Sequence, residues 1–394
     1  MKSAAGNGPI GPVLIVAGET SGDQRGARLL EALRRESPGL EAFGLVGEAL
    51  TAAGCEAIAE SREIAVVGLV EVLKVLPRAR AIFRRLVEEV ERRGARTAIL
   101  IDSPEFNLRL ARELRRRGLK VIYYVSPQVW AWRRGRIHQI SRDVDLMLVL
   151  FPFEVDYYRE HGLDVVHVGH PLVDEIPRLP SAWDERPLES ATAVATVALL
   201  PGSRRSEVKA LLPGMLAAVK TLASLRPVRA RLIVAPAVDD TLFTGILAQS
   251  GLAEAGVELE WVRGQDRLAA LADSHLAFCA SGTATLETGL LGTPMIVLYR
   301  LKALTYLVAR WLVDLPHFCI VNLVLGERVV PELLQAEAAP AKVAELAAGL
   351  LSDRAAITAQ RQGLERLRQA LGPAGASPRA AAAVLERWRR WGLL

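Results

Sequence analysis

The chain is poor in residues that staple, chelate or anchor. It has 3 cysteines in 394 residues, Cys55, Cys279 and Cys319, far apart and without a C-x-x-C pair. That argues against a disulfide framework or a cysteine zinc site and predicts a reducing compartment. The 6 histidines show no H-x-x-x-H or other ligand spacing, so no metal is predicted. No uninterrupted apolar stretch reaches the roughly 18 residues of a spanning helix, so any membrane contact is expected to be peripheral. Residues 1–12 hold one lysine and no long apolar run, unlike a signal peptide. No G-x-G-x-x-G turn opens either half, which weighs against a Rossmann oxidoreductase.

What is present is core-forming sequence. Hydrophobic residues make up 51% and charged residues 24%, at a length that favours two domains over one. The net charge of +5 suits anionic substrates or an anionic membrane surface but identifies neither. Apolar runs alternate with helical patterns from 13–16 through 97–101, 121–125 and 146–150, which predicts parallel strands with crossover helices. A proline- and charge-rich stretch, 177–190, reads as a linker, and a second series starts at 194–200. The fold class is therefore α/β, with two Rossmann-like domains facing a cleft and helices at the C-terminus. The expected boundaries are 1–176, 190–350 and 351–394. In the last helix Ala381, Val384, Leu385, Trp388 and Trp391 fall at helical spacing and need a cover: another domain, a partner subunit or a membrane.

Five loops carry candidate chemistry. Behind the first strand comes Ala17-Gly18-Glu19-Thr20-Ser21-Gly22-Asp23, with Gly18, Gly22 and Gly26 each four apart. Its carboxylates, Glu19 and Asp23, suit a helix dipole but repel phosphate, so sugar hydroxyls are the better ligand. Helix capping by Ser21 and Asp23 is the competing reading. Asp102-Ser103-Pro104-Glu105-Phe106-Asn107 follows the strand 97–101 and offers Asp102 as a general base, or as a mere cap. In the second half Pro201-Gly202-Ser203-Arg204 combines free amides with arginine, which suits phosphate oxygens. Ser281, Gly282 and Thr283 open another helix, with Glu287 one turn on, an arrangement that suits a nucleotide. The aromatic–basic cluster 123–136 is too isolated for nucleic-acid binding, and none is predicted. Two basic-flanked apolar segments, 66–77 and 301–315, read as interfacial or as core-facing helices.

Together these motifs resemble the lipid-A-disaccharide synthases, glycosyltransferases of the B fold. The resemblance runs from about Val13 to about Gln335 and also takes in 125–133, Phe151-Pro152-Phe153-Glu154, Val168-Gly169-His170-Pro171 and Val321-Asn322-Leu323. It implies transfer of a sugar from UDP-2,3-diacylglucosamine to the 6-hydroxyl of 2,3-diacylglucosamine 1-phosphate. The products are a β-1,6-linked disaccharide 1-phosphate and UDP, formed with inversion. Asp102 matches the base; Glu19, Ser21, Asp23 and Gln128 match the acceptor side. Gly202, Ser203, Arg204, Ser281, Gly282, Thr283, Glu287 and Asn322 match the UDP side, and Gln335 lies near the cleft. No cofactor or metal is implied. A homodimer and peripheral attachment to the cytoplasmic face of the inner membrane are. Glu105 stands where the family usually has Asp, and Gly326-Glu327-Arg328 reorders a familiar Gly-Arg-Glu. The competing readings are another B-fold UDP-sugar enzyme, such as a UDP-N-acetylglucosamine epimerase, and a non-catalytic nucleotide-sugar-binding protein.

Overall fold

The computed structural model describes residues 11–64, 69–130, 134–190, 192–235, 238–300 and 316–394. The expectation for 301–315 lies outside these residues. So do 66–68 of the other apolar segment and 131–133 of the aromatic–basic cluster.

The chain divides into two compact units, Met1–Pro171 with Gly372–Leu394, and Leu172–Leu371. Among the described residues the first unit carries seven parallel strands: β1 (Val13–Ala17), β2 (Ala42–Val46), β3 (Glu56–Glu60), β4 (Thr97–Ile101), β5 (Lys120–Tyr124), β6 (Leu146–Val149) and β7 (Val165–His167). Their order is β3-β2-β1-β4-β5-β6-β7, so the direction of winding reverses between β1 and β4. Among its described residues the second unit carries six: β8 (Ala195–Leu200), β9 (Val228–Ile233), β10 (Glu258–Val262), β11 (Leu276–Ala280), β12 (Met295–Tyr299) and β13 (Glu332–Leu334). Their order, β10-β9-β8-β11-β12-β13, reverses between β8 and β11.

The strands read as continuous apolar runs because both faces of each sheet are covered. In the first unit Val13, Ile15, Ile99, Ile101 and Ile122 face one core. Leu14, Val16, Leu100, Val121 and Tyr123 face the other, with the period of two that a pleated strand imposes.

The segment 351–394 is not one block. Helix Arg354–Ala370 stays with the second unit, and helix Ala376–Arg390 returns to the first. There Ala381, Val384, Leu385 and Trp388 are buried with Leu29, Leu30 and Leu33 of helix Thr20–Glu36. Trp388 has no exposed surface, and its Nε1–H donates to Thr97 Oγ1 at 3.1 Å. Arg387 Nη2 donates to Asp164 Oδ1 at 2.8 Å. The stripe is thus covered by the chain's own first unit, and it needs no partner subunit for that purpose.

The stretch 177–190 is not a free linker either. Trp183 enters the core of the second unit, and its Nε1–H donates to the carbonyl of His275 at 2.7 Å. Ser181 caps the short helix Ala182–Glu185. Composition hid this: one tryptophan anchors a segment whose prolines and charges otherwise read as solvated.

Candidate active site

In a doubly wound sheet, ligands collect beyond the carboxyl ends of the strands where the order reverses. Ala17 at the end of β1 pairs with Ile101 at the end of β4. The loop carrying Glu19 and the loop carrying Asp102 therefore leave from adjacent strands. Gly18 permits their close approach, since a Cβ there would lie 2.5 Å from Ser103 Oγ.

The backbone of Asp102 and Ser103 is held in the left-handed region, at φ +52° and +45°. Non-glycine residues adopt that region at a cost of about 1–3 kcal/mol. Two side chains hold it here. Asn107 Nδ2 donates to the carbonyls of Ile101 (3.0 Å) and Asp102 (2.8 Å), and Tyr123 Oη–H donates to the Asp102 carbonyl at 2.6 Å. The half-buried Asp102 carboxylate accepts the Ser103 N–H at 3.0 Å. Burial raises its pKa above the usual carboxylate value, against the opposing charge of Arg25 and that amide. A carboxylate with raised basicity at a strand end is what a general base requires. Ser103 Oγ and Asn107 Oδ1 are buried without a hydrogen-bond partner among the described residues.

The first loop divides its roles. Asp23 is buried, and its carboxylate accepts N–H groups of Gly47 (2.7 Å), Ala49 (2.8 Å) and Leu50 (3.2 Å). It therefore caps the neighbouring helix Glu48–Ala52 rather than its own. Gly22 and Gly26 lie within helix Thr20–Glu36. A Cβ on Gly26 would meet Ile101 Cδ1 at 2.8 Å, so the four-residue spacing marks close packing of helix on sheet. Glu19 and Ser21 are exposed at the helix start.

Gln128 is exposed in the loop after β5. Its neighbour Trp130 is buried, with its Nε1–H donating to Glu154 Oε1 at 3.0 Å. Glu154 also accepts the Phe151 N–H at 3.1 Å, and burial pushes its pKa up to about 7. His170 is buried at the end of the first unit, 5.3 Å from the ring of Phe151, and burial lowers its pKa to about 3. It is therefore a neutral imidazole in a structural corner.

In the second unit Leu200 at the end of β8 pairs with Cys279 of β11, so the two phosphate-friendly loops also leave adjacent strands at the reversal. Gly202 is at φ +106°, where a Cβ would lie 2.4 Å from Glu207 Oε2. The Ser203 and Arg204 amides donate to that Glu207 oxygen at 3.1 and 3.3 Å, and Arg204 Nη1 donates to Glu207 Oε1 at 2.9 Å. The loop thus already holds a carboxylate where an anion is expected. Arg204 itself is exposed. Gly282 and Thr283 are exposed where helix Thr283–Leu290 begins, and Ser281 Oγ–H donates to the Phe318 carbonyl at 3.0 Å.

Glu287 pairs with Arg267. Asn322 is wholly buried. Its Oδ1 accepts the N–H groups of Val329 (2.9 Å) and Val330 (3.0 Å), and its Nδ2 donates to the Val330 carbonyl (2.8 Å) and to Glu332. Asn322 therefore clasps the segment leading into β13 and positions Glu332. Gln335, just beyond β13, has φ +54°. Sequence reasoning gave Arg25 no role and took in Glu154 only as part of the 151–154 motif.

A family model, Lipid-A-disaccharide synthetase, matches residues 13–385. A lipid-A-disaccharide synthase of Myxococcus xanthus is 43% identical over 377 residues, 95% of this chain and 97% of that one. One from Geobacter metallireducens is 41% identical over 387 residues, 97% of this chain and 98% of that one. Among solved structures, the calicheamicin glycosyltransferase CalG4 is similar with a TM-score of 0.59 at 15% identity, covering 97% of this chain and 99% of that one. A UDP-GlcNAc 2-epimerase from Neisseria meningitidis bound to UDP-GlcNAc gives 0.57 at 10% identity, covering 96% and 100%. At such identities the structures show the shared fold.

Proposed function

We infer a mechanism from the premise that this chain belongs to the lipid-A-disaccharide synthase family and is a glycosyltransferase. Its substrates are lipid A sugars. We assign UDP-2,3-diacylglucosamine as donor and 2,3-diacylglucosamine 1-phosphate as acceptor. Asp102 takes the proton of the acceptor 6-hydroxyl as that oxygen attacks the donor's anomeric carbon. The bond from that carbon to the UDP oxygen breaks, the configuration inverts, and the β-1,6-linked disaccharide 1-phosphate leaves with UDP. The observation that carries this reading is Asp102 itself: a strained, half-buried carboxylate at the sheet reversal, with burial raising its pKa.

The first unit supplies the acceptor side, through Glu19, Ser21 and Gln128. The second holds UDP, through Gly202, Ser203, Arg204, Ser281, Gly282, Thr283 and Glu287. Preorganised amides and arginine there stabilise the leaving diphosphate. Asp23 orders the start of helix Glu48–Ala52, and Asn322 orders the segment leading into β13. The fold is shared with epimerases, so the family match is what separates a transferase from them. Incubation with both acylated substrates tests the reading: UDP and disaccharide phosphate are expected together, and UDP-N-acetylglucosamine without an acceptor is expected to remain unchanged.

Among the described residues no helix is long and apolar enough to cross a membrane. We place the enzyme peripherally on the cytoplasmic face of the inner membrane, because its substrates carry acyl chains and 66–77 and 301–315 are apolar segments bearing basic residues. Sedimentation with anionic vesicles tests this; a chain left wholly in the supernatant overturns it. The homodimer stays a proposal without support from the C-terminal stripe, and a monomer mass by light scattering, with and without detergent, removes it.

A further inference from the structure

Arg25 is a cation with a place but, among the described residues, no partner. It sits half-buried on the first helix, between Asp23, which caps a neighbouring helix, and Gly26, which packs on β4. Among the described residues its guanidinium makes no hydrogen bond or ion pair. The other arginine of that helix turned towards its own unit, Arg34, is fully engaged with the carbonyls of Leu40, Ala53 and Gly54. Gly22 and Gly26, on either side of it along the helix, pack against Ile101 at the end of β4, the residue before Asp102, which sets Arg25 beside the crevice where β1 and β4 end. Its charge is felt by the Asp102 carboxylate and the His170 imidazole. Burial keeps His170 neutral there. A guanidinium gives up water readily and offers a planar fork of donors that matches a phosphate.

We propose that Arg25 binds the phosphomonoester of the acceptor sugar while Asp102 addresses its 6-hydroxyl. The assignment rests on the reading of Asp102 as base. In a pyranose, carbon 1 and the carbon bearing the 6-hydroxymethyl group flank the ring oxygen. A sugar whose 6-hydroxyl meets Asp102 therefore carries its 1-phosphate on the same edge, within reach of a side chain beside Asp102. The cation also offsets repulsion between the phosphate and the Asp102 carboxylate.

Binding without donor tests this independently of turnover. Wild-type protein, Arg25→Gln and Arg25→Lys are titrated in detergent with 2,3-diacylglucosamine 1-phosphate, with the same lipid lacking phosphate, and with UDP. The wild type is expected to prefer the phosphorylated lipid by about tenfold or more, the scale of one charge-assisted hydrogen bond. Arg25→Gln abolishes the preference, Arg25→Lys keeps part of it, and UDP affinity is the same in all three. An unchanged preference in Arg25→Gln overturns the proposal, and so does an equal loss for both lipids. Loss of UDP binding alone overturns it too, by moving the phosphate in question to the donor. Asp102→Asn is assayed alongside for turnover. If it turns over at the wild-type rate while the Arg25-dependent preference persists, the base assignment fails and the phosphate site stands.

Discussion

The two units repeat one topology and fill it with opposite chemistry. Each sheet reverses its winding at one place, and each places two loops beyond the paired ends of adjacent strands. In the first unit the left-handed positions at those ends are occupied by Asp102, Ser103 and, beyond β5, Val125. In the second the loop after β8 turns at a glycine, Gly202, and the non-glycine in the left-handed region, Gln335, lies beyond β13. Strain at a non-glycine residue persists only where the surroundings over-determine it, as Asn107 and Tyr123 do for Asp102. A glycine turn carries no such demand, and the amides it presents, those of Ser203 and Arg204, converge on one acceptor, Glu207. One crevice is thus built to fix a single carboxylate and the other to present donors.

The largest effect expected from breaking that contrast is in the first crevice. Asp102→Asn lowers turnover by about 10² or more, the size typical of losing a general base, and leaves UDP affinity nearly intact. Near-wild-type turnover removes Asp102 from the role. The sign of the pKa shift separates chemistry from folding. A carboxyl raised in the folded state contributes stability that is fully present below its unfolded value and is lost as pH rises through the raised value. At neutral pH the Asn variant should therefore unfold at no lower denaturant concentration than the wild type. The acid limb of kcat/KM in the wild type should fall above the ordinary value of an exposed aspartate. An acid limb at or below that value breaks the link between burial and basicity.

Next comes the backbone of the second crevice. Gly202→Ala forces a Cβ into Glu207 at a φ of +106°. It should cost about 1–3 kcal/mol of stability in denaturant melts, together with a weaker hold on UDP. A stable variant with wild-type UDP affinity would mean that this turn is not the anion site. Arg204→Ala follows, with UDP affinity lowered about tenfold and the pH profile of turnover unmoved. A shift of the acid limb instead would couple Arg204 to the base and blur the contrast.

Much of this architecture is legible in the sequence because a buried parallel strand is a short, unbroken apolar run. Residues 13–16, 97–101 and 194–200 announce themselves that way, and the chemistry follows directly behind them. What stays hidden depends on partners distant in the chain. The bonds of Asp23 reach Gly47, Ala49 and Leu50, so a carboxylate that reads as a cap of its own helix caps another one. Gly22 and Gly26 look like a loop motif because their spacing is read along the chain rather than around a helix. Trp183 sits in a stretch whose composition says linker, yet it anchors to His275, 92 residues away. Asn322 matches a motif, but the motif does not show that its amide clasps Val329, Val330 and Glu332.

The smallest expected effect sharpens the comparison most, because it asks what the second crevice holds before a donor arrives. Glu207 now accepts the Ser203 and Arg204 amides and the Arg204 guanidinium, the donors assigned to the diphosphate. If phosphate oxygens take those donors, the carboxylate must give them up, and its charge opposes the incoming anion. Glu207→Gln keeps the shape and a weaker acceptor while removing that charge. UDP should then bind a few-fold tighter, at a cost of about 1 kcal/mol in loop and helix-start stability. If phosphate lies instead only at Ser281, Gly282 and Thr283, the substitution merely loosens the neighbouring loop, and UDP binds no better or worse. Calorimetric titration with UDP separates the two outcomes. Tighter binding means that the donor crevice carries its own stand-in anion, a feature for which the base crevice, with its carboxylate half-buried and its backbone locked, has no counterpart.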